Sequence, residues 1–117
     1  MAGRQHRQGG KIRGTHTTLI NTAATLVDEI INFKEVIGVS PGFIKPGEGN
    51  AGGVRRVKII DTDGGLLLIV RENGGVQELR VFSRDIQKTK LAIARFARNS
   101  GMHINFGNQK KSCLSVD

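Results

Sequence analysis

The architecture of this protein follows from "VRRVKIIDTDGGLLLIVRENGGVQELRVF", residues 54–82. The stretch divides into three apolar runs, residues 54–61, 66–72 and 76–82, separated by "TDGG" and "NGG". Asn-Gly between apolar runs is a strong signal for a tight hairpin, so Asn73-Gly74 predicts a two-residue turn. The middle run is apolar on both faces from Leu66 to Val70, and we expect it to be the most buried strand. The stretch therefore predicts an antiparallel meander of three strands.

A helix and a short strand are predicted upstream of the meander. Apolar residues recur there at the i, i+3, i+4, i+7 spacing of an amphipathic helix, which would begin with Thr17 or Thr18 as N-cap and end near Phe33. Residues 35–44, "EVIGVSPGFI", predict a short strand that is broken by its Pro-Gly pair. Residues 45–53, "KPGEGNAGG", have the composition of a loop.

A second helix is predicted downstream of the meander. Ser83 is its expected N-cap, Asp85 lies in its first turn, and it ends at "NSG", residues 99–101. Residues 102–106, "MHINF", have the pattern of one further short strand. The order of elements is thus helix, strand, three-stranded meander, helix and an optional final strand. This order predicts an α+β fold with both helices packed on one face of the sheet.

The domain organisation follows from the length and from the composition of the two ends. A chain of 117 residues is long enough for one modest hydrophobic core. Residues 1–15 are basic and glycine-rich, with too few apolar residues to fold alone, and they predict a flexible tail. Residues 16–106 form the predicted domain, and residues 107–117 form a polar C-terminal tail.

Charge is distributed unevenly along the chain, whose net charge is +8. Every acidic residue except Asp117 lies between Asp28 and Asp85, so two basic ends flank a nearly neutral middle. A net positive charge of this kind concerns the binding partner rather than the fold. The expected partner is a polyanion, and nucleic acid fits the clustering of the cations best.

The second predicted helix carries a basic stripe. At about 100° per residue, the four cations of the stripe fall within roughly 80° of one another, and the apolar side chains that dock on the sheet lie opposite them. A solvated charged face normally mixes both signs, whereas this helix has no acid after Asp85. The stripe consists of Arg84, Lys88, Arg95 and Arg98.

The strands predict a second basic group. Arg56 and Lys58 share one strand face, and Arg71 and Arg80 lie on the neighbouring strands. These residues would enlarge a positive surface if the sheet face away from the helices is open. In the alternative interpretation they are ordinary outward-facing residues paired with the glutamates at positions 72 and 78.

Several classes of function lack a signal in the sequence. No nucleophile elbow and no histidine beside a carboxylate is present, so we predict a protein that is not an enzyme and needs no cofactor. His6, His16, His103 and Cys113 have no local metal-chelating spacing. A single cysteine, the absence of an apolar leader and the lack of a long apolar run predict a cytoplasmic protein without a membrane partner.

Three segments resemble a small family of unknown function that is described as a predicted metal-binding protein. They are "RGTHTTLI", "VIGVSPGFI" and "GGLLLIVRENGGVQELRVFSRD", and the resemblance covers about residues 16–85. It implies a metal-binding role for the histidine motif before the first helix, which maps here onto His16. Arg13 occupies the position where many members carry a second histidine.

The leading prediction is an RNA-binding protein that contacts the phosphates of structured RNA, as an accessory component of a ribosome or another ribonucleoprotein. Because the chain has no Tyr or Trp, stacking on single-stranded bases is not its main means of binding. One alternative is a metal-binding protein that uses His16 with distant ligands, and another is a basic module for an acidic protein partner. The predicted RNA contacts are Arg4, Arg7, Lys11, Arg13, His16, Lys45, Arg55, Arg56, Lys58, Arg84, Lys88, Arg95, Arg98, Lys110 and Lys111.

Overall fold

The structure is a computed structural model, and it describes residues 19–45, 47 and 53–108. Two helices and five strands follow one another in the order α1 (Asn21–Ile30), β1 (Val36–Lys45), β2 (Arg56–Thr62), β3 (Gly65–Glu72), β4 (Gly75–Ser83), α2 (Ile86–Asn99) and β5 (His103–Asn108). The predicted α+β class is confirmed, and the predicted element order is matched in part, because the sheet has five strands. The predicted tail of residues 1–15 and most of the predicted tail 107–117 lie outside the described ranges.

The five strands form a single mixed sheet in the spatial order β1-β4-β3-β2-β5. The predicted meander is present, because β2, β3 and β4 pair antiparallel in sequence order. The sequence predicted four strands and an optional fifth. The fifth strand is present as β5, which pairs parallel with β2. Helix α2 supplies the long crossover that a parallel strand needs, since it carries the chain from β4 back to the opposite edge of the sheet.

The hairpin between β3 and β4 has the predicted tight turn. Asn73 and Gly74 both have positive φ angles, 52° and 82°. Two central residues with positive φ are the mark of the type I′ turn, whose twist matches that of the flanking strands. Asn and Gly tolerate this conformation, which explains why this dipeptide marks the turn in the sequence.

Strand β1 has the predicted length and is shifted by one residue. It is a ten-residue strand at the edge of the sheet, and it pairs with β4 through two shifts of register. The predicted interruption at Pro41-Gly42 is confirmed as an irregularity of the ladder, because the register with β4 shifts between Pro41 and Ile44. The chain remains one strand, since an edge strand can accommodate a residue without an N–H donor. The register shifts on either side of Pro41 absorb the irregularity.

Both helices begin differently from the sequence prediction. Helix α1 starts at Asn21 with Ile20 as its N-cap, so the predicted cap at Thr17 or Thr18 is wrong. Helix α2 has Asp85 rather than Ser83 as its N-cap, and the Asp85 side chain accepts a hydrogen bond from the Lys88 backbone N–H. Ser83 instead supports the cap, since its hydroxyl accepts the Asp85 backbone N–H at 3.0 Å.

The core lies between the two helices and one face of the sheet. Alternate residues of the central strand β3 are buried there, and Leu68 is completely inaccessible to solvent. Its neighbours Leu67 and Ile69 point to the other face and are half-buried. The core-facing helix residues are Ala23, Leu26, Val27, Ile30, Ile93, Ala94 and Ala97. Neither described helix has the length and hydropathy needed to cross a membrane.

Candidate functional site

No described helix packs on the sheet face opposite the core, and we call this face the open face. Because opposed residues on paired strands point to the same side, the register identifies its members. Its basic side chains come from all five strands, and Glu78 is its only acid among the described strand residues. The basic members are Lys45, Arg56, Lys58, Arg71, Arg80 and His103. The strand cations that the sequence grouped conditionally thus share the sheet face on which no described helix packs.

One row of opposed residues crosses the open face near the turn between β3 and β4. His103 lies opposite Arg56, Arg56 opposite Arg71, Arg71 opposite Val76, and Val76 opposite Lys45. The four basic side chains are exposed, and we call them the basic row. Since neighbouring strands lie about 4.8 Å apart, the row extends about 19 Å across the five strands.

The basic row has no ion pair with any described residue. The two ion pairs within the described ranges involve Lys88 and Lys90, neither of which is on the open face. The interpretation that Glu72 pairs with the strand cations is wrong, because Glu72 lies on the helix side and accepts the Thr22 backbone N–H. Two like charges directly opposite each other, as Arg56 and Arg71 are, destabilise a sheet. The open face thus holds a charge repulsion that an anion would relieve.

Apolar side chains lie between the cations of the open face. Ile60 is only 4 % exposed although no helix covers it. The stem of Lys58 contributes to this burial, because a Cβ built on Gly107 would meet Lys58 Cε and Ile60 Cγ1 at 3.2 Å each. The Lys58 stem therefore lies beside Gly107 and Ile60, as the stems of long basic side chains do on apolar surfaces.

Arg55 has a different environment from its neighbour Arg56. It is half-buried, and its guanidinium donates a hydrogen bond to the Ser100 carbonyl just after helix α2. A cation at a helix C-terminus interacts favourably with the unpaired carbonyls there. The Arg55 backbone carbonyl also accepts the His103 N–H at 2.8 Å, which holds β5 beside β2. Arg55 thus links the end of α2 to the sheet.

The predicted basic stripe of α2 is exposed, and the predicted packing of the opposite side of the helix on the sheet is confirmed. Acidic residues of other elements approach this stripe. Lys88 Nζ lies 3.3 Å from Glu35 Oε2, and Arg95 shares a groove of about 260 Å³ with Glu29. The exposed Leu91 interrupts the stripe. Among the described residues, Lys88 is the stripe cation that has an ion pair, whereas the basic row has none.

The first turn of α1 is held by side chains that sequence reasoning missed. The Ile20 N–H donates to Gln77 Oε1 at 3.0 Å, and the Thr22 N–H donates to Glu72 Oε1 at 2.9 Å. The first N–H groups of a helix lack intrahelical partners, so these two side chains replace the missing N-cap. The sequence signal for this contact is Gln77, a polar residue two positions before the core-facing Leu79 and therefore on the same face of the strand. Gln77 is fully buried in the structure.

The glycine-rich segment after β1 approaches the same end of the sheet. The Gly53 N–H donates to Asn73 Oδ1 at 2.8 Å. A Cβ on Gly75 would meet the Gly47 backbone nitrogen at 2.7 Å, so the two backbone segments approach too closely for a side chain between them. The described glycines of this segment thus lie against the turn that follows Glu72.

The described residues do not fit a metal ion. No three His, Cys, Asp or Glu side chains within residues 19–45, 47 and 53–108 group closely enough to hold one. His103 lies opposite Arg56, whose charge disfavours a cation at that position. The other metal candidates, His6, His16 and Cys113, are outside the described residues. The same holds for the predicted RNA contacts Arg4, Arg7, Lys11, Arg13, Lys110 and Lys111.

A family model described as "Predicted metal-binding protein (DUF2103)" matches residues 7–95. The chain belongs to this family. The match extends beyond the 16–85 range of the resemblance and includes α1, the complete meander and most of α2. A search of curated proteins and a search of solved structures each returned no match. The family description gives a predicted metal-binding character and no further activity.

Proposed function

We propose that this protein binds the phosphate backbone of structured RNA through the open face of its sheet. The observation that carries the proposal is the basic row, whose four side chains have no ion-pair partner among the described residues. Lys and Arg side chains that contact phosphates displace the counterions condensed on the nucleic acid, and this release drives binding.

The composition of the open face favours phosphate contacts over base stacking. Phe82 lies on this face and is 42 % exposed, and the chain has five Phe and no Tyr or Trp. Proteins that bind single strands use several aromatic platforms, whereas contacts to phosphates and 2′-hydroxyls recognise folded RNA by its shape. A folded RNA, such as one within a ribonucleoprotein, is therefore the proposed ligand.

The experiment compares two double variants of equal charge change. Arg56→Gln with Arg71→Gln removes two cations of the basic row, and Arg95→Gln with Arg98→Gln removes two from the stripe of α2. Binding to an RNA duplex is measured by fluorescence anisotropy over a range of salt concentrations. At about 0.9 per phosphate contact, the row variant should lower the slope of log K against log salt by about 2.

The stripe variant is the matched control and should leave this slope nearly unchanged. A larger loss in the stripe variant would contradict the proposal and would place the interface on α2. A duplex DNA of the same length, tested in parallel, reports whether the RNA 2′-hydroxyl contributes. Co-sedimentation of the unchanged protein with ribosomes at low salt would identify a natural ligand.

The second candidate function is metal binding, which the family match favours. Because the described residues do not group into a metal site, the proposed ligands are His16 and residues distant from it in sequence. Elemental analysis of the purified protein tests this candidate. One metal ion per chain, lost in a His16→Ala variant, would support it. Less than a tenth of an equivalent would exclude it under the conditions of purification.

A further inference from the structure

Three of the five phenylalanines are exposed, and they lie in different environments. Phe106 lies opposite the core-facing Ile59, on the helix side of the sheet, and Lys90 Nζ is 5.6 Å from the centre of its ring. Phe43 falls within a register shift of the edge strand β1. Phe82 of β4 is the exposed phenylalanine that the ladder places on the open face.

The residues directly opposite Phe82 have no side chains. Gly38 of β1 lies on one side of it and Gly65 of β3 on the other. Directly opposed residues bring their side chains closest together, so this pair of glycines removes the side chains that would lie nearest to the ring. The glycine at position 65 is required, because a Cβ there would collide with the Val81 carbonyl oxygen. The ring, 42 % exposed, is therefore accessible to a flat ligand from the open face.

A cation lies beside this ring on the same strand. Arg80 is two positions before Phe82 on β4, and residues at this spacing point to the same face about 7 Å apart. Arg80 is exposed and has no ion pair with any described residue. Single-stranded nucleotides are bound by this combination of an aromatic ring for the base and a positive charge for the backbone. The pair thus has the chemistry to bind the base and the phosphate of one nucleotide.

Phe82 and the basic row lie at opposite ends of the open face. Val76, which lies in line with the row, is six positions before Phe82 on β4, or about 20 Å along the strand. Arg80 lies between them. An RNA that contacts the row with its phosphates therefore reaches Phe82 with its end.

A second copy of this chain is a poorer occupant of the same surface. Glu78 is the one acid on this face among the described strand residues, so two such faces would oppose like charges. A long single strand is also a poorer occupant, because proteins that bind single strands stack successive bases on several aromatic side chains. One ring matches one base.

We propose that Phe82 stacks on one unpaired base at the end of the bound RNA duplex and that Arg80 contacts the phosphate of the same nucleotide. This inference rests on the proposed function, because the basic row holds the paired part of the RNA. The protein would then distinguish a duplex with an unpaired terminal nucleotide from a blunt duplex.

The test uses the full-length chain and two RNA duplexes that differ in the bases of a short overhang. One overhang carries bases, and the other consists of abasic nucleotides with the same phosphates. Overhangs at the 3′ end and at the 5′ end are tested separately by fluorescence anisotropy. For one of these ends, the overhang with bases should bind about tenfold tighter than its abasic counterpart, as expected for one stacked base. Phe82→Leu should remove this difference and Phe82→Tyr should retain it, whereas Arg80→Gln should weaken both overhang duplexes relative to a blunt duplex.

Phe43→Leu is the matched control, since Phe43 is 62 % exposed but lies in the register shift of β1. It should leave the preference for the overhang with bases unchanged. If the unchanged protein shows no such preference at either end, or if Phe82→Leu keeps it, the inference is wrong. The proposed function has a separate readout, because Arg56→Gln with Arg71→Gln should weaken blunt and overhang duplexes alike. If that row variant binds both as tightly as the unchanged protein, the proposed function is wrong.

Discussion

Replacement of two adjacent leucines in β3 tests whether one sheet face is truly open. Leu68 is completely buried against the helices and lies opposite Ile59 and Leu79 on the neighbouring strands. Leu67 points to the open face and is half-buried. Truncation of a buried leucine to alanine costs roughly 2.7–5.0 kcal/mol, because a cavity remains in addition to the lost transfer free energy. We expect Leu68→Ala to cost about 3 kcal/mol.

Leu67→Ala is the matched control and should cost about 1 kcal/mol, because solvent can occupy the space on an uncovered face. For a domain of this size, 1 kcal/mol shifts the melting temperature by roughly 4–8 °C, so Leu68→Ala should melt about 12–24 °C lower. Thermal and urea unfolding followed by circular dichroism measure both variants. If Leu67→Ala costs as much as Leu68→Ala, the open face is covered and the proposed interface is wrong.

Three further variants test the fold and the charge repulsion on the open face. Asp85→Ala should cost about 1 kcal/mol of unfolding free energy through loss of the α2 N-cap, and Asp85→Ser should restore most of it. Gly74→Ala should cost about 1–2 kcal/mol, because φ is 82° there, and the cost is conformational since no atom lies within 4 Å of the added Cβ. Arg71→Thr should raise the free energy of unfolding at low salt by a few tenths of a kcal/mol, because it removes the repulsion with Arg56, and it should weaken RNA binding. A lower free energy of unfolding would contradict the predicted repulsion.

Much of the fold could be predicted because its signals are local. The Asn73-Gly74 turn and the apolar runs beside it specify the hairpin within a dozen residues. The faces of α2 follow from helical periodicity, so the burial of Ile93 and Ala97 and the exposure of Arg95 agree with the sequence pattern.

The features that could not be predicted depend on contacts between residues distant in sequence. The N-terminus of α1 is satisfied by Gln77, 57 positions away from Ile20, so no local capping residue marks the helix start. The position of β5 beside β2 depends on contacts such as the His103 N–H to the Arg55 carbonyl, which only the tertiary fold brings together. For the same reason the sequence showed the cations of the strands without showing that they form one row.

The structure also distinguishes two basic surfaces, the stripe of α2 and the basic row. The sequence alone could not rank them as phosphate-binding surfaces. The α2 residue Lys88 forms an ion pair with Glu35, which lies in the turn after α1. Arg95 of α2 lines the same groove as Glu29 of α1, so acidic side chains lie near this stripe. On the open face, Arg56 and Arg71 are opposed without an ion-pair partner among the described residues, and the backbone register fixes their spacing. A phosphate that approaches the row removes a repulsion, whereas one that approaches Lys88 must compete with an existing ion pair. Because binding at the open face breaks no ion pair between described residues, we expect it to be the more favourable phosphate-binding surface.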